Sequence, residues 1–251
     1  MTSPLAAYFR FKLEGWENVP TAPCLFIGNH SIGSPFVLPL LARAWHQDGG
    51  DRTVRGMMHR LAYKTPFRQW GALQRLGGIY AHPQVARDAI KRGHSLLIFP
   101  GGDVDAMRPF GRRYQPDFDG RCGFIRLARE EKLKLVPLAI CGSHAAYFSL
   151  PGAQSLARLL RLQQWAGLKR FPLTLGTLGL GATLALPPLW PLLPFLGLAA
   201  ALPLPTRISA RFLPPVEVEI GESDQDAAER VRAAIERSLE QAAASRLTPW
   251  G

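Results

Sequence analysis

The chain has 251 residues, of which 47% are hydrophobic, and 30 Lys and Arg against 19 Asp and Glu give a formal net charge of +11. This length suits one domain with a sizeable core, and the charge predicts an anionic partner such as a membrane surface, a phospholipid or coenzyme A. Because the basic residues are spread along a hydrophobic chain rather than gathered in tails, the composition argues against nucleic acid.

Cysteine usage indicates the redox setting. Cys24, Cys122 and Cys141 are odd in number and widely spaced, with no C-x-x-C pair. This pattern fits neither a disulfide framework nor a zinc site, so it predicts a reducing, cytoplasmic setting and no metal. Residues 1–12 have no apolar run of signal-peptide length and already carry basic residues, which argues against secretion.

The first predicted strand is the apolar run at residues 23–27, which delivers the polar loop of Gly28, Asn29 and His30 at its carboxyl end. Loops at this place carry the chemistry of α/β sheets. A helix is predicted over residues 36–45, with an interruption at Pro39, and is followed by a polar turn.

Two similar units come next along the chain. A predicted helix at residues 84–92 precedes a strand at 95–99, and a helix near 123–131 precedes a strand at 135–140. Strands that alternate with helices of this length predict an α/β fold with a largely parallel sheet flanked by helices.

Residues 171–206 are 36 consecutive positions without a charge. The segment exceeds the roughly 20 apolar residues that cross a bilayer, yet seven prolines occur in it, and a straight helix in lipid cannot carry the central ones. We therefore expect an apolar membrane-associating segment that dips into one leaflet or covers an apolar groove. An ordinary buried core segment is the open alternative.

The last part of the chain predicts two strands and a helix. Residues 208–212 and 216–220 alternate like strands, and a helix over about 224–244 follows the capping residue Ser223. With a core over about residues 23–220, the whole chain 1–251 is interpreted as one domain.

His30 stands in a glycine-bounded loop after a strand, where an imidazole suits proton removal from a hydroxyl. Three short blocks stand at the later strand ends: residues 77–80 (GGIY), 99–102 (FPGG) and 136–138 (VPL). In this order the blocks resemble those of the glycerol-phosphate and lysophospholipid acyltransferase family, over roughly residues 23–215. The FPGG block with MRPF at 107–110 is more similar to the diacylglycerol-acyltransferase-like and phytyl-ester-synthase-like branch.

The resemblance implies transfer of a fatty acyl group from acyl-CoA or acyl carrier protein, with no further cofactor, to a hydroxyl of a lipid acceptor. It implies membrane lipids as partners and the cytoplasmic face of a membrane as the location, with peripheral or monotopic attachment. His30 would be the general base, an Asp five positions later would hold its tautomer, and backbone amides with the third block would bind phosphate or developing negative charge.

The chain departs from the family pattern at that Asp. Pro35 stands in its place, and residues 31–44 contain no Asp or Glu. Asp103 and Asp105 in the glycine loop are the candidate catalytic replacements, with ordinary turn residues as the second interpretation. Either another carboxylate or a backbone carbonyl orients His30, or the protein is a weak or inactive relative that binds lipid at a membrane.

The third block departs as well. The family reads F-P-E-G-T-R there, whereas Gly101 replaces the Glu and Val104 replaces the Arg, which removes a bidentate phosphate contact. Arg108, Arg112 and Arg113 are candidates to reach the phosphate instead, and a solvated surface or a patch for anionic lipid heads is an equal alternative.

The remaining candidate substrate-binding residues belong to the same blocks and are Asn29, Gly78, His82, Gly101 and Gly102. His82 lies where the family has a basic residue after the GGIY block, and an exposed loop residue is its second interpretation. His144, after the last block, is a further candidate for the same cleft, with a capping residue as its second interpretation. A nucleotide-binding loop at 101–102 is disfavoured, because it lacks both Lys-Ser/Thr and G-x-G-x-x-G.

Overall fold

The structure is a computed structural model, and it describes residues 3–59, 72–75, 77–193, 195, 202–248 and 250–251. Its strands are β1 (Lys12–Glu14), β2 (Leu25–Gly28), β3 (Val54–Met58), β4 (Gly78–Tyr80), β5 (Ser95–Ile98), β6 (Leu135–Cys141) and β7 (Ser209–Phe212). Its helices are α1 (Pro4–Tyr8), α2 (Ser34–Asp48), α3 (Ala72–Arg75), α4 (Pro83–Lys91), α5 (Gly102–Ala106), α6 (Gly123–Glu130), α7 (Ala153–Leu159), α8 (Leu162–Ala166), α9 (Leu175–Ala185) and α10 (Asp224–Ala244). Short 3₁₀ helices lie at Trp16–Asn18, Phe110–Arg112, Ser143–Ala146 and Pro187–Leu192.

The seven strands form one sheet in the order β1-β7-β6-β2-β5-β3-β4. All neighbouring pairs are parallel except β6 with β7. At the centre, Phe26 of β2 lies opposite Val136 of β6 on one side and Leu97 of β5 on the other. The predicted α/β domain with a largely parallel sheet is therefore confirmed.

Apolar side chains cover both faces of this sheet. Leu25 and Ile27 belong to a core cluster with residues of α4, α6 and α10, whereas Phe26 between them belongs to a second cluster with residues of α2. Successive strand residues point to opposite faces, so a strand buried on both sides is apolar at every position. All seven residues of β6 are buried, which is why the sequence there has no polar alternation.

The predicted interruption at Pro39 of the helix over residues 36–45 is wrong. Helix α2 runs through Pro39, and the predicted polar turn begins only after Asp48. Val37, Leu40 and Leu41 are buried against the sheet. Their burial, at about 1.5–3 kcal/mol for each side chain, outweighs the hydrogen bond that proline removes.

The predicted strand at residues 216–220 is also wrong. Val216 forms only an isolated bridge with Leu135. Strand β7 already occupies that side of β6 from Leu138 to Cys141, so only the beginning of β6 is open to the chain after the two prolines. The block at residues 136–138 lies inside β6 and not at its end.

The predicted C-terminal helix is confirmed. Helix α10 spans Asp224–Ala244, and the Ser223 hydroxyl accepts a hydrogen bond from the backbone N–H of Asp226 at 3.1 Å. Strands β1 and β3 are additions that the sequence did not predict. Both lie toward the outside of the sheet. They are too short or too mixed in polarity to show the apolar–polar alternation that predicts a strand.

The predicted apolar segment forms α9 and a 3₁₀ helix, while its residues 194 and 196–201 lie outside the described part of the chain. Across the residues that the structure describes, no helix combines the length and apolar character needed to cross a membrane. The described part of the segment is not a buried core element. Of the 15 large hydrophobic side chains that the described residues expose, nine lie in this segment, between Leu175 and Leu204.

Candidate functional site

Three polar loops meet at one edge of the sheet. Strands β6, β2 and β5 are parallel neighbours, so their carboxyl ends bring residues 142–144, 29–30 and 99–102 to the same place. The fold therefore assembles the His30 loop, the glycine loop and the loop after β6 into one candidate site.

The His30 side chain is fixed from several directions. Its ring stacks on Phe99 with 4.9 Å between centroids and 18° between planes. Gly28 makes room for this, because a Cβ there would lie 2.7 Å from the Phe99 ring. The His30 backbone N–H donates to an Asp105 carboxylate oxygen, and Nδ1 lies 2.7 Å from Ser34 Oγ. With Nδ1 bound, a proton from a substrate would go to Nε2.

The protonation state of His30 suits a base. Burial and, to a smaller extent, the charge of Arg108 lower the pKa of His30, and Asp103 partly opposes them, with a net pKa of about 4. The imidazole is therefore uncharged at neutral pH, which is the form that accepts a proton.

Sequence reasoning missed Ser34, the residue at His30 Nδ1. Ser34 is the first residue of α2 and is 6% exposed, whereas Pro35 beside it is exposed. Its hydroxyl also accepts a hydrogen bond from the Ser31 backbone N–H at 3.3 Å. The available signal was a hydroxyl four residues after His30, about one helical turn away, whereas the sequence prediction named another carboxylate or a backbone carbonyl.

Asp105 lies close to His30, as expected, but not at the imidazole. Its carboxylate is fully buried and accepts hydrogen bonds from the backbone N–H groups of His30 and of Asp117, the latter at 2.7 Å. It also pairs with Arg108, which is 1% exposed. Asp105 therefore ties the His30 loop, the glycine loop and the following loop together.

Asp103 also makes its hydrogen bonds away from the imidazole. One carboxylate oxygen accepts from the backbone N–H groups of Lys169 at 2.6 Å and Arg170 at 3.2 Å. The other lies 3.7 Å from Nη2 of Arg121. Asp103 thus connects the glycine loop to the chain that enters the apolar segment, and neither candidate carboxylate occupies the place of the absent Asp.

Asn29 connects two strands. Its side chain is 1% exposed, donates to the Ile140 carbonyl at 2.9 Å and accepts from the Ile140 N–H at 2.8 Å. These two bonds fix the end of β2 to β6. The contacts of Asn29 therefore fit a residue that positions the His30 loop more than one that binds substrate.

The three candidate arginines lie in different surroundings. Arg108 is buried beside Asp105, and burial lowers its pKa to about 9. Arg112 is exposed and lines a cleft of about 460 Å³ between the 112–121 loop and α10. Arg113 is half-buried, with its guanidinium 4.3 Å from the Phe110 ring centroid.

His144 is a second buried imidazole near His30. It is 4% exposed and lines a narrow recess together with Arg113. Burial lowers its pKa well below the usual value, and the charge of Arg108 acts in the same direction. Within the described chain its Nε2 is buried without a hydrogen-bond partner. The loop after β6 therefore adds a neutral imidazole to this end of the sheet.

Gly78 and His82 lie apart from the other candidates. Gly78 begins β4, the edge strand, which is three strand spacings from β2, or roughly 14 Å. His82 is exposed and caps α4, where its Nδ1 accepts from the Gln84 N–H at 3.2 Å. The structure does not bring these two residues to His30.

The glycine loop is closely packed. A Cβ at Gly101 would lie 2.1 Å from the Asp117 carbonyl oxygen and 2.3 Å from Asp105 Cβ. Gly102 has φ +51°, and a Cβ there would lie 2.7 Å from the Arg121 guanidinium. This packing leaves no space for the Glu that the resemblance places at position 101.

We expect Gly101→Ala to lower the free energy of unfolding by about 1–3 kcal/mol, because its methyl group would force the Asp105 and Asp117 segments apart. Urea denaturation measures the change. Gly111→Ala is the matched control, since a Cβ at Gly111 meets nothing within 4 Å. Equal stability of the two variants would contradict this account of the glycine loop.

Similarity to known proteins covers the His30 loop and the glycine loop. Residues 10–141 match the family model described as Acyltransferase. Over 212 residues the chain is 28% identical to an uncharacterized protein of Mycobacterium leprae, which covers 84% of this chain and 52% of the relative. An uncharacterized protein of Mycobacterium tuberculosis matches over the same length with the same identity and covers 53% of that relative. The chain thus spans about half the length of the curated relatives it matches.

The chain is also similar to a further protein over a shorter length and to a solved structure. A Gallus gallus protein named DGAT1/2-independent enzyme synthesizing storage lipids is 27% identical over 131 residues, which are 51% of this chain and 37% of that protein. The crystal structure of the 1-acyl-sn-glycerophosphate (LPA) acyltransferase PlsC from Thermotoga maritima aligns with a TM-score of 0.52 at 16% identity, covering 92% of this chain and 71% of that one. At this identity the likeness concerns the fold alone.

Proposed function

Since this chain belongs to the acyltransferase family, we propose that it transfers a fatty acyl group from a thioester to a hydroxyl of a lipid acceptor, with His30 as general base. The observation that carries the proposal is a neutral imidazole, fixed at Nδ1, at the carboxyl end of the central strand. The donor in this proposal is acyl-CoA or acyl carrier protein, and the acceptor is a lysophospholipid, a glycerolipid or a related lipid.

The proposed reaction needs no covalent enzyme intermediate. As the acceptor oxygen attacks the thioester carbonyl carbon, its proton passes to His30 Nε2. The tetrahedral intermediate then collapses, the carbon–sulfur bond breaks, and the leaving sulfur takes the proton from the imidazolium. The buried positive charge of Arg108 beside the glycine loop supports the proposal, because it lowers the energy of negative charge that develops near His30.

A membrane is the proposed source of the lipid acceptor. Twelve exposed side chains form what we term the apolar face: Leu159, Leu160, Trp165, Leu175, Leu178, Leu184, Leu186, Trp190, Leu192, Phe195, Leu202 and Leu204. The exposed Arg158 and Arg161 lie next to it. Apolar side chains beside cations suit a surface that enters one leaflet between anionic headgroups. The basic balance and unpaired cysteines support the cytoplasmic face as the location.

We expect Trp165→Ser combined with Phe195→Ser to weaken partition onto vesicles of anionic phospholipid by about tenfold per residue, because each substitution removes about 1–1.5 kcal/mol of apolar insertion. Vesicle co-sedimentation measures the partition. The matched control is Ile220→Ser with Leu247→Ser, which are 107% and 100% exposed outside the apolar face. Equal weakening by both pairs would remove the apolar face from the proposal.

A lipid-binding protein without catalysis is the second candidate function. Pro35 in place of the expected Asp and the tight packing at Gly101 favour it. It predicts vesicle binding that does not depend on His30 and no turnover of acyl thioesters.

The deciding experiment supplies acyl-CoA of several chain lengths, and acyl carrier protein thioesters, with a mixed lipid extract. It measures both thiol release and new acylated lipid by mass spectrometry. Release with a matching new lipid supports the transferase. Absence of both from every donor overturns it, and tight vesicle binding would then support the second candidate.

A further inference from the structure

We propose that Ser34 is a positioning residue for His30, and that its hydroxyl replaces the carboxylate that the family carries one residue later. This inference rests on the proposed role of His30 as general base. It assigns to Ser34 the selection of one imidazole tautomer, with the proton on Nδ1 and the lone pair on Nε2.

The geometry supplies the right acceptor at the right ring atom. Ser34 Oγ lies 2.7 Å from His30 Nδ1 and 3.3 Å from the Ser31 backbone nitrogen. A hydroxyl oxygen has two lone pairs. One accepts the Ser31 N–H. The proposal gives the other to the proton on Nδ1, rather than having the hydroxyl donate to that nitrogen, because only this direction leaves Nε2 free to accept a proton.

The surroundings keep Ser34 in place. Its backbone N–H donates to the Ser31 carbonyl at 3.0 Å, and it begins a helix of 15 residues. The neighbouring Gly33 packs against the Ser143 carbonyl, since a Cβ there would lie 2.7 Å from that oxygen. Phe99 holds the imidazole from one face. A hydroxyl held this firmly restricts the ring at little cost in entropy.

The position of Pro35 explains why the hydroxyl comes from position 34. Pro35 is exposed, whereas Ser34 is 6% exposed and faces His30. In this loop a carboxylate at position 35 would lie on the solvent side. The two positions therefore provide a test with a built-in control, because only one of them reaches the imidazole.

A nucleophilic Ser34 is the competing assignment, since a hydroxyl in contact with an imidazole also occurs in enzymes that form acyl intermediates. Burial disfavours it here. The Ser34 oxygen is shared between Ser31 and His30 beneath the first turn of α2, where an incoming thioester carbonyl would have to displace one of these contacts. Direct transfer with no acyl group on Ser34 is the expected course.

Nitrogen-15 NMR of His30 at neutral pH tests the tautomer without any need for turnover. We expect a protonated Nδ1 and a bare Nε2 in the wild type, loss of this preference in Ser34→Ala, and its recovery in Ser34→Thr. If the wild type carries its proton on Nε2, or if Ser34→Ala leaves the spectrum unchanged, the assignment is overturned. The NMR result does not depend on the proposed function, because the His30 imidazole adopts a tautomer whether or not the protein is active.

Kinetics of the proposed acyl transfer provide a second test of the role of Ser34. Ser34→Ala should lower kcat by about tenfold in the wild-type background and have no further effect on His30→Gln, because Ser34 acts through the imidazole. Ser34→Asp should move the acid limb of kcat/KM upward from its wild-type place near pH 4, since a carboxylate stabilises the imidazolium. Pro35→Asp should leave that limb in place. An acyl group found on Ser34 by mass spectrometry, or equal shifts from both Asp variants, would overturn the proposal.

Discussion

His30→Gln is expected to lower acyl transfer by about 10²- to 10⁴-fold, the range that general base catalysis contributes. Glutamine keeps a polar side chain of similar reach that can still contact Ser34, but no group on it accepts a proton at neutral pH. The loss should appear in kcat, because the imidazole takes its proton as the acceptor oxygen attacks. Thiol release and acylated product, measured together, report it.

The control for His30 is a nearby buried histidine that the proposed reaction does not use. His144 shares this end of the sheet and has a similarly lowered pKa. His144→Gln should therefore reduce activity much less than His30→Gln does. Wild-type activity in His30→Gln, with the fold verified by circular dichroism, would exclude His30 as the base.

Asp105→Asn is expected to lower the free energy of unfolding by about 3–5 kcal/mol, the usual cost of breaking a buried ion pair from one side. Asp105 and Arg108 are 0% and 1% exposed, so the guanidinium would remain buried without its counter-charge. The variant would also weaken the anchor of the His30 backbone N–H. Urea denaturation measures the loss.

Two comparisons make the Asp105 prediction specific. Glu217→Gln breaks an ion pair with Lys134 whose side chains are 74% and 54% exposed, and it should cost about 0–1 kcal/mol. Arg108→Met added to Asp105→Asn should recover much of the stability, because it removes the charge left unpaired. If Asp105→Asn cost no more than Glu217→Gln, burial of the pair would have no energetic consequence.

Local sequence was sufficient for the central strands and for the polar loops at their carboxyl ends. The apolar runs of β2, β5 and β6 are short and bounded by glycine or proline, and each is followed by a polar loop, so their order predicted the parallel sheet. The resemblance to glycerolipid acyltransferases is confirmed on the same blocks. The uncharged stretch at residues 171–206 likewise predicted an unusual apolar segment, although its function stays a proposal.

Packing energy decided the points at which local rules failed. Pro39 predicts a break in a helix, but burial of Val37 and Leu40 against the sheet exceeds the local cost. The alternation at residues 216–220 predicts a strand, but β7 already covers most of the available edge of β6. Neither the buried area nor the occupied edge can be read from a local pattern.

The partners of His30 depended on tertiary structure in the same way. The sequence by itself determined that a histidine follows the first core strand and that the expected Asp is absent at Pro35. Only the folded chain decided that Ser34 Oγ meets Nδ1 while Asp105, 75 residues away, meets the backbone N–H. Composition and hydrophobic period indicate which faces are buried. Hydrogen-bond partners, in contrast, must be placed to within a few tenths of an ångström, and only the packed core brings distant segments together with that precision.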